Sequence, residues 1–105
     1  MGSLSYDGME YPFEDRTLQH LQVVITTKLR RRESFAFSWV PAFESAGRET
    51  IWIDNGLPLR FRYDEPAVPA INRDWLEVLM EGTHRPSGLT LLPEPPAKKA
   101  RQSSL

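Results

Sequence analysis

The chain has 105 residues, 40% of them hydrophobic and 26% charged, with a net charge of −1 and no cysteine. That is enough chain for one domain with one core, and the composition is that of a globular rather than a disordered protein. Without thiols there are no disulfides, no cysteine nucleophile and no thiolate metal site.

The first fifteen residues hold four acids and no base (Asp7, Glu10, Glu14, Asp15). Leu4-Ser5-Tyr6 and Met9 to Phe13 flank Asp7-Gly8, a hairpin signal. Pro12 lacks an amide donor, which puts the second strand at a sheet edge. Neither a cationic start nor an apolar centre marks this segment as a signal peptide. No apolar run approaches the roughly 20 residues that span a bilayer. The expected location is therefore cytoplasmic, with no membrane partner.

Asp15 is placed to cap a helix expected over 16–31. Leu18, Leu21, Val24, Ile25 and Leu29 follow helical spacing, with Lys28 beside the seam. Arg16, Gln19, His20, Val23, Thr26, Thr27 and Arg30 fall on the outer face. From 16 to 32 there are five bases and no acid. Four of them, Lys28, Arg30, Arg31 and Arg32, crowd the end of the helix. Cations there complement the helix dipole, and they also form a candidate phosphate contact.

Phe35, Phe37 and Trp39 alternate with Ala36, Ser38 and Val40, as in a half-buried strand. Pro41 ends it, and a loop runs from 42 to 47. Arg48 to Asp54 and Leu57 to Tyr63 surround Asn55-Gly56, a second hairpin signal. Its register is open. A strict two-residue turn puts Trp52 on one face with Leu57, Leu59, Phe61 and Tyr63. A one-residue slip puts Ile51 and Ile53 on that face and Trp52 on the other, with Arg60 and Arg62. In the slipped register Trp52, Arg60 and Arg62 would form a platform for stacking bases and holding phosphates.

Residues 64–70 are a proline-stiffened connection. Asn72 caps a second helix, with Trp75, Leu76, Leu79 and Met80 buried and Gly82 as its stop. Leu89 to Leu92 is a last short strand. The segment 96–105, with Lys98, Lys99 and Arg101, reads as a disordered basic tail. The expected fold is α+β in the order ββ-α-βββ-α-β, a small, mostly antiparallel sheet carrying two helices over residues 1–95.

The pattern resembles a family of short actinobacterial proteins of unknown function, seen mainly among relatives of Microbacterium and Leifsonia. The resemblance is carried by Gly2-x-Leu4-x-Tyr6, Asp15-Arg16-x-Leu18-x-His20-Leu21-Gln22-Val23-Val24-Ile25 and Lys28-Leu29-Arg30-Arg31. It continues through Glu33-Ser34-Phe35-x-Phe37-Ser38-Trp39, Ile51-Trp52, Pro58-Leu59, Ile71-Asn72-Arg73-x-Trp75, Gly88-Leu89 and Pro93-Glu94-Pro95. It implies a glycine where this chain has Arg32. Members often carry the automatic label ATP-dependent DNA ligase, which would imply a lysine nucleophile in a Lys-x-Asp-Gly motif. Here Lys28 is followed by Leu29-Arg30-Arg31, and there is no room for a nucleotide-binding lobe plus a separate barrel.

The residues offer no other catalytic constellation. The two histidines, His20 and His84, have no metal-ligand spacing. There is no glycine-rich phosphate loop, and no carboxylate pair stands out for acid–base work. No catalytic residue, metal or cofactor is expected. The leading expectation is a non-catalytic binding or adaptor module that associates with nucleic acid, or with an acidic protein, through its basic helix end. The candidate contacts are Lys28, Arg30, Arg31, Arg32, Trp52, Arg60 and Arg62. The competing expectations are an accessory protein of DNA processing and a homodimer built through an uncovered sheet face.

Overall fold

The computed structural model describes residues 1–41 and 47–96. The loop expected from residue 42 falls outside this range at 42–46, as does the expected basic tail at 97–105. The elements run β1 (Gly2–Tyr6), β2 (Met9–Phe13), α1 (Asp15–Arg30), β3 (Phe35–Trp39), β4 (Glu49–Ile53), β5 (Leu59–Arg62), α2 (Arg73–Gly82) and β6 (Leu89–Thr90). The expected α+β class and element order are present. The strands form two three-stranded sheets, β2-β1-β5 and β4-β3-β6, where one sheet was expected.

The first hairpin forms as its turn residues require. Asp7 (φ 50°) and Gly8 (φ 85°) both occupy the left-handed region that a type I′ turn needs. β2, with Pro12, lies at a sheet edge.

The second expected hairpin does not form. β4 pairs with β3, setting Ile51 opposite Phe37 and Ile53 opposite Phe35. β5 pairs with β1, setting Phe61 opposite Leu4 and Leu59 opposite Tyr6. Asn55-Gly56 is thus a crossover between sheets. Pro58 has no amide to donate to a tight hairpin, and its carbonyl instead accepts from the Asp7 N–H at 3.1 Å. The Tyr6 hydroxyl locks the crossing: it donates to the Trp52 carbonyl at 2.8 Å and accepts from the Asp54 N–H at 2.9 Å. The question of faces is settled by β3. Ile53 is fully buried, Ile51 half-buried, and Trp52 points outward.

The core lies where the inner sheet faces meet α1. Leu4, Tyr6 and Phe13 come from the first sheet, Phe35, Phe37, Trp39, Ile53 and Leu89 from the second, and Leu18, Leu21, Val24 and Ile25 from α1. Aromatic rings join the sheets: Phe13 lies 5.3 Å from Trp39, and Tyr11 meets Trp39 edge-on at 5.1 Å.

Two sequence expectations about α1 are corrected. Asp15 is not the cap. Glu14 holds that position without a side-chain bond, while the Asp15 carboxylate accepts from the Asp64 and Glu65 N–H groups at 3.2 and 3.0 Å. His20, placed on the outer face by spacing, is fully buried. α2 covers that flank of α1, and the imidazole packs 4.5 Å from the Trp75 ring. Its Nε2 accepts from the Asn72 N–H at 2.9 Å, which leaves the proton on Nδ1 to bond the Arg16 carbonyl at 2.7 Å.

Candidate nucleic-acid interface

The end of α1 is built as a Schellman turn. The Glu33 N–H bonds the Lys28 carbonyl at 3.1 Å and the Arg32 N–H bonds the Leu29 carbonyl at 2.9 Å. This geometry requires a left-handed residue at position 32, and Arg32 supplies it at φ 59°. Glycine is the usual occupant, because a Cβ in that region costs about 1 kcal/mol. The glycine implied by the resemblance therefore has a structural reason, and Arg32 stands in its place under strain.

The four clustered cations do not share one fate. Lys28 is only 6% exposed, and its amine is paired with the Glu33 carboxylate at 2.7 Å. That bond holds the Glu33 carboxyl below its ordinary range, helped by Lys28 and Arg31 charge. Arg30, Arg31 and Arg32 are exposed. Among the described residues, none of their guanidinium groups is in a hydrogen bond or ion pair.

A second contact fixes the surroundings of this turn. Ser34 donates to Asp54 Oδ1 at 2.6 Å, and Asn55 Nδ2 donates to the Leu29 carbonyl at 2.7 Å. The Ser34 hydroxyl, and then the Asn55 N–H, keep the Asp54 carboxyl low. These bonds bring the C-terminal end of β4 against the arginine turn. Trp52, two residues before Asp54, is 61% exposed, whereas Trp39 and Trp75 are 3% and 4% exposed. The neighbourhood thus holds four cations, Lys28 and the three arginines, against the two carboxylates of Glu33 and Asp54.

Arg60 and Arg62 are also exposed but belong to the other sheet. Arg60 lies opposite Ser5, whose other neighbour is Glu10, and Arg62 lies opposite Ser3, whose other neighbour is Pro12. Neither register of the 48–63 hairpin exists, so strand pairing does not set Trp52 between these arginines. The end of its strand, at Asp54, is tied to the α1 turn through Ser34.

Sequence reasoning missed a polar cluster at the opposite end of α1. Arg16 grips Glu94 with two bonds, at 2.8 and 2.5 Å, and donates to the Ala70 carbonyl at 2.7 Å. Asn72 accepts from the Asp74 and Trp75 N–H groups, as expected of a cap, and donates to Glu94 at 3.0 Å. Arg16 and Asn72 together push the Glu94 carboxyl down to about 2. A cavity of about 590 Å³ opens beside it, lined by Glu14, Thr17, Val40, Trp75 and Leu92 among others. Of the charges that line it, Arg16 and Glu94 are occupied by each other, and the cluster ties residues 92–95 to both helices. The residues involved lie far apart in sequence, which is why no local pattern could reveal them.

Among the described residues, no group of three or more histidines or acids is placed to hold a metal ion. No helix is long and apolar enough to cross a membrane. The fold and its surface define a small two-sheet α+β domain with an exposed arginine turn. A family model described as Domain of unknown function (DUF7882) matches residues 1–94, and the chain belongs to that family. No curated protein and no solved structure matches it.

Proposed function

We propose that this domain is a non-catalytic binding module that holds a polyanion, most simply the phosphate backbone of a nucleic acid, on Arg30, Arg31 and Arg32. The observation that carries the reading is the left-handed Arg32. A charged side chain stands where the turn geometry favours glycine, and it enlarges a run of exposed guanidinium groups. Lys28, paired with Glu33, serves the fold rather than the ligand. Its amine is held by a carboxylate and no Lys-x-Asp-Gly motif surrounds it. The ligase label of the family that the sequence resembles therefore fits an accessory role in DNA transactions better than an adenylating activity.

The test is binding of labelled duplex DNA over a range of salt concentrations. Wild-type protein should bind at low salt and weaken as salt rises. The double substitution Arg30→Ala with Arg31→Ala should lower affinity at every salt concentration. It should also make the log–log salt slope shallower by about two, since each lost phosphate contact removes roughly 0.9. An unchanged affinity and slope would show that the turn is not a phosphate site.

A further inference from the structure

On the outer face of the second sheet, Trp52 has small residues as its cross-strand neighbours. The indole stands opposite Ala36, and Gly88 follows on the far side of Ala36. A Cβ on Gly88 would come within 2.3 Å of the Ala36 carbonyl oxygen and 2.9 Å of its methyl group, so only glycine fits there. Gly88 itself is buried, so the row sets the large exposed ring of Trp52 beside the half-buried methyl of Ala36. The next row is Thr50–Ser38–Thr90, hydroxyl-bearing throughout, with Ser38 and Thr50 bonded at 2.7 Å.

Cations stand at both ends of β4, beside the Asp54 carboxylate at one of them. The arginine turn adjoins the Trp52 end of β4 through the Ser34–Asp54 bond, and exposed Arg48 precedes the other end of that strand. Five residues separate them, about 17 Å of strand. Beyond Gly88 a cavity of about 340 Å³ opens between α2 and β6, lined by Val78, Glu81, Arg85, Gly88 and Thr90 among others. Duplex DNA has no unstacked base to offer such a surface. Single strands do, and aromatic platforms flanked by cations are the general means of holding them.

We infer that the outer face around Trp52 and Ala36 binds single-stranded nucleic acid, a base stacking on the indole while neighbouring phosphates lie on the arginine turn. The inference rests on the polyanion reading above and narrows it to a substrate class. Trp52 supplies the stacking surface, Ala36 the clearance, and Ser38, Thr50 and Thr90 hydroxyl groups for base or sugar edges.

The experiment uses the full chain with fluorescein-labelled oligothymidylate, duplex DNA of the same length and heparin. Oligothymidylate should bind more tightly than duplex and quench the tryptophan emission, since Trp52 is the exposed indole. Trp52→Ala should weaken oligothymidylate binding by about ten-fold or more and abolish the quenching. It should leave duplex and heparin binding within two-fold, and Trp52→Phe should recover most of the loss. If duplex and heparin bind through the arginines but Trp52→Ala leaves oligothymidylate binding unchanged, the stacking face is refuted and the polyanion reading stands. If nothing binds at low salt, both fail. If light scattering gives a dimer that Trp52→Ala dissolves, the face belongs to a second copy of the chain and the inference is overturned.

Discussion

Arg32 exposes a conflict within a single residue. The Schellman turn needs a left-handed backbone at its position, and an arginine there carries strain that a glycine would not. Replacing it should therefore separate stability from binding. Arg32→Gly is expected to raise unfolding stability by about 1 kcal/mol in urea titration, and to weaken duplex binding by removing one phosphate contact. A variant that is more stable and binds less well excludes misfolding as the cause of the loss. If it loses stability, the turn does not have the geometry described. The sequence points to position 32 only through the resemblance, because a run of arginines says nothing about φ. Lys28 is the opposite case. Its place beside the apolar seam is legible in the spacing, but its partner, Glu33, comes within reach only after the chain has turned back on itself.

Among the elements, α1 was the easiest to read and the most instructive in its errors. Its apolar spacing locates the face that meets the sheets. It does not disclose a second neighbour, so spacing puts His20 on the outer face although α2 buries it. The Asn72 cap of α2 was legible because a cap is local, whereas Asp15 was misjudged because its acceptors serve a segment some fifty residues away. The segment holding Glu94 against Arg16 and Asn72 has no local pattern that names its partners, but it has a measurable signature. The Glu94 carboxyl titrates near 4.5 in the unfolded chain and about 2 in the folded one. A carboxyl lowered by folding adds stability above its unfolded value, and that stability drains away as pH falls from about 4.5 towards 2. Glu94→Gln is expected to lower stability by about 1 kcal/mol at neutral pH, a modest figure because the pair is partly solvated. Urea midpoints measured at intervals down to acidic pH should fall less steeply across that window than in the wild type. Equal slopes would show that this pair contributes nothing.

In the whole molecule, the class, the order of elements and the first hairpin were legible, while the division into two sheets was not. Pattern rules score neighbouring strands against each other. They cannot see that Ile51 and Ile53 find Phe37 and Phe35 across the second sheet, or that Leu59 and Phe61 find Tyr6 and Leu4 across the first. The candidate site shifted for the same reason: Trp52 was legible as an aromatic of undecided face, and its real neighbours follow from the pairing. That division also bears on how the chain acquires its shape. β4 and β5 are nearest neighbours in sequence with an Asn-Gly turn signal between them, whereas β5 must wait for a partner more than fifty residues upstream. Local pairing closes quickly and distant pairing slowly, so the crossover builds a competitor into the folding route. An isolated peptide of residues 47–64 should populate the 48–63 hairpin that the native fold forgoes, detectable as cross-strand contacts by NMR, and a featureless peptide would remove the competitor. Tyr6, whose hydroxyl holds the end of β4 while its own strand position pairs with Leu59 of β5, then fastens the two ends of that crossing in their native places.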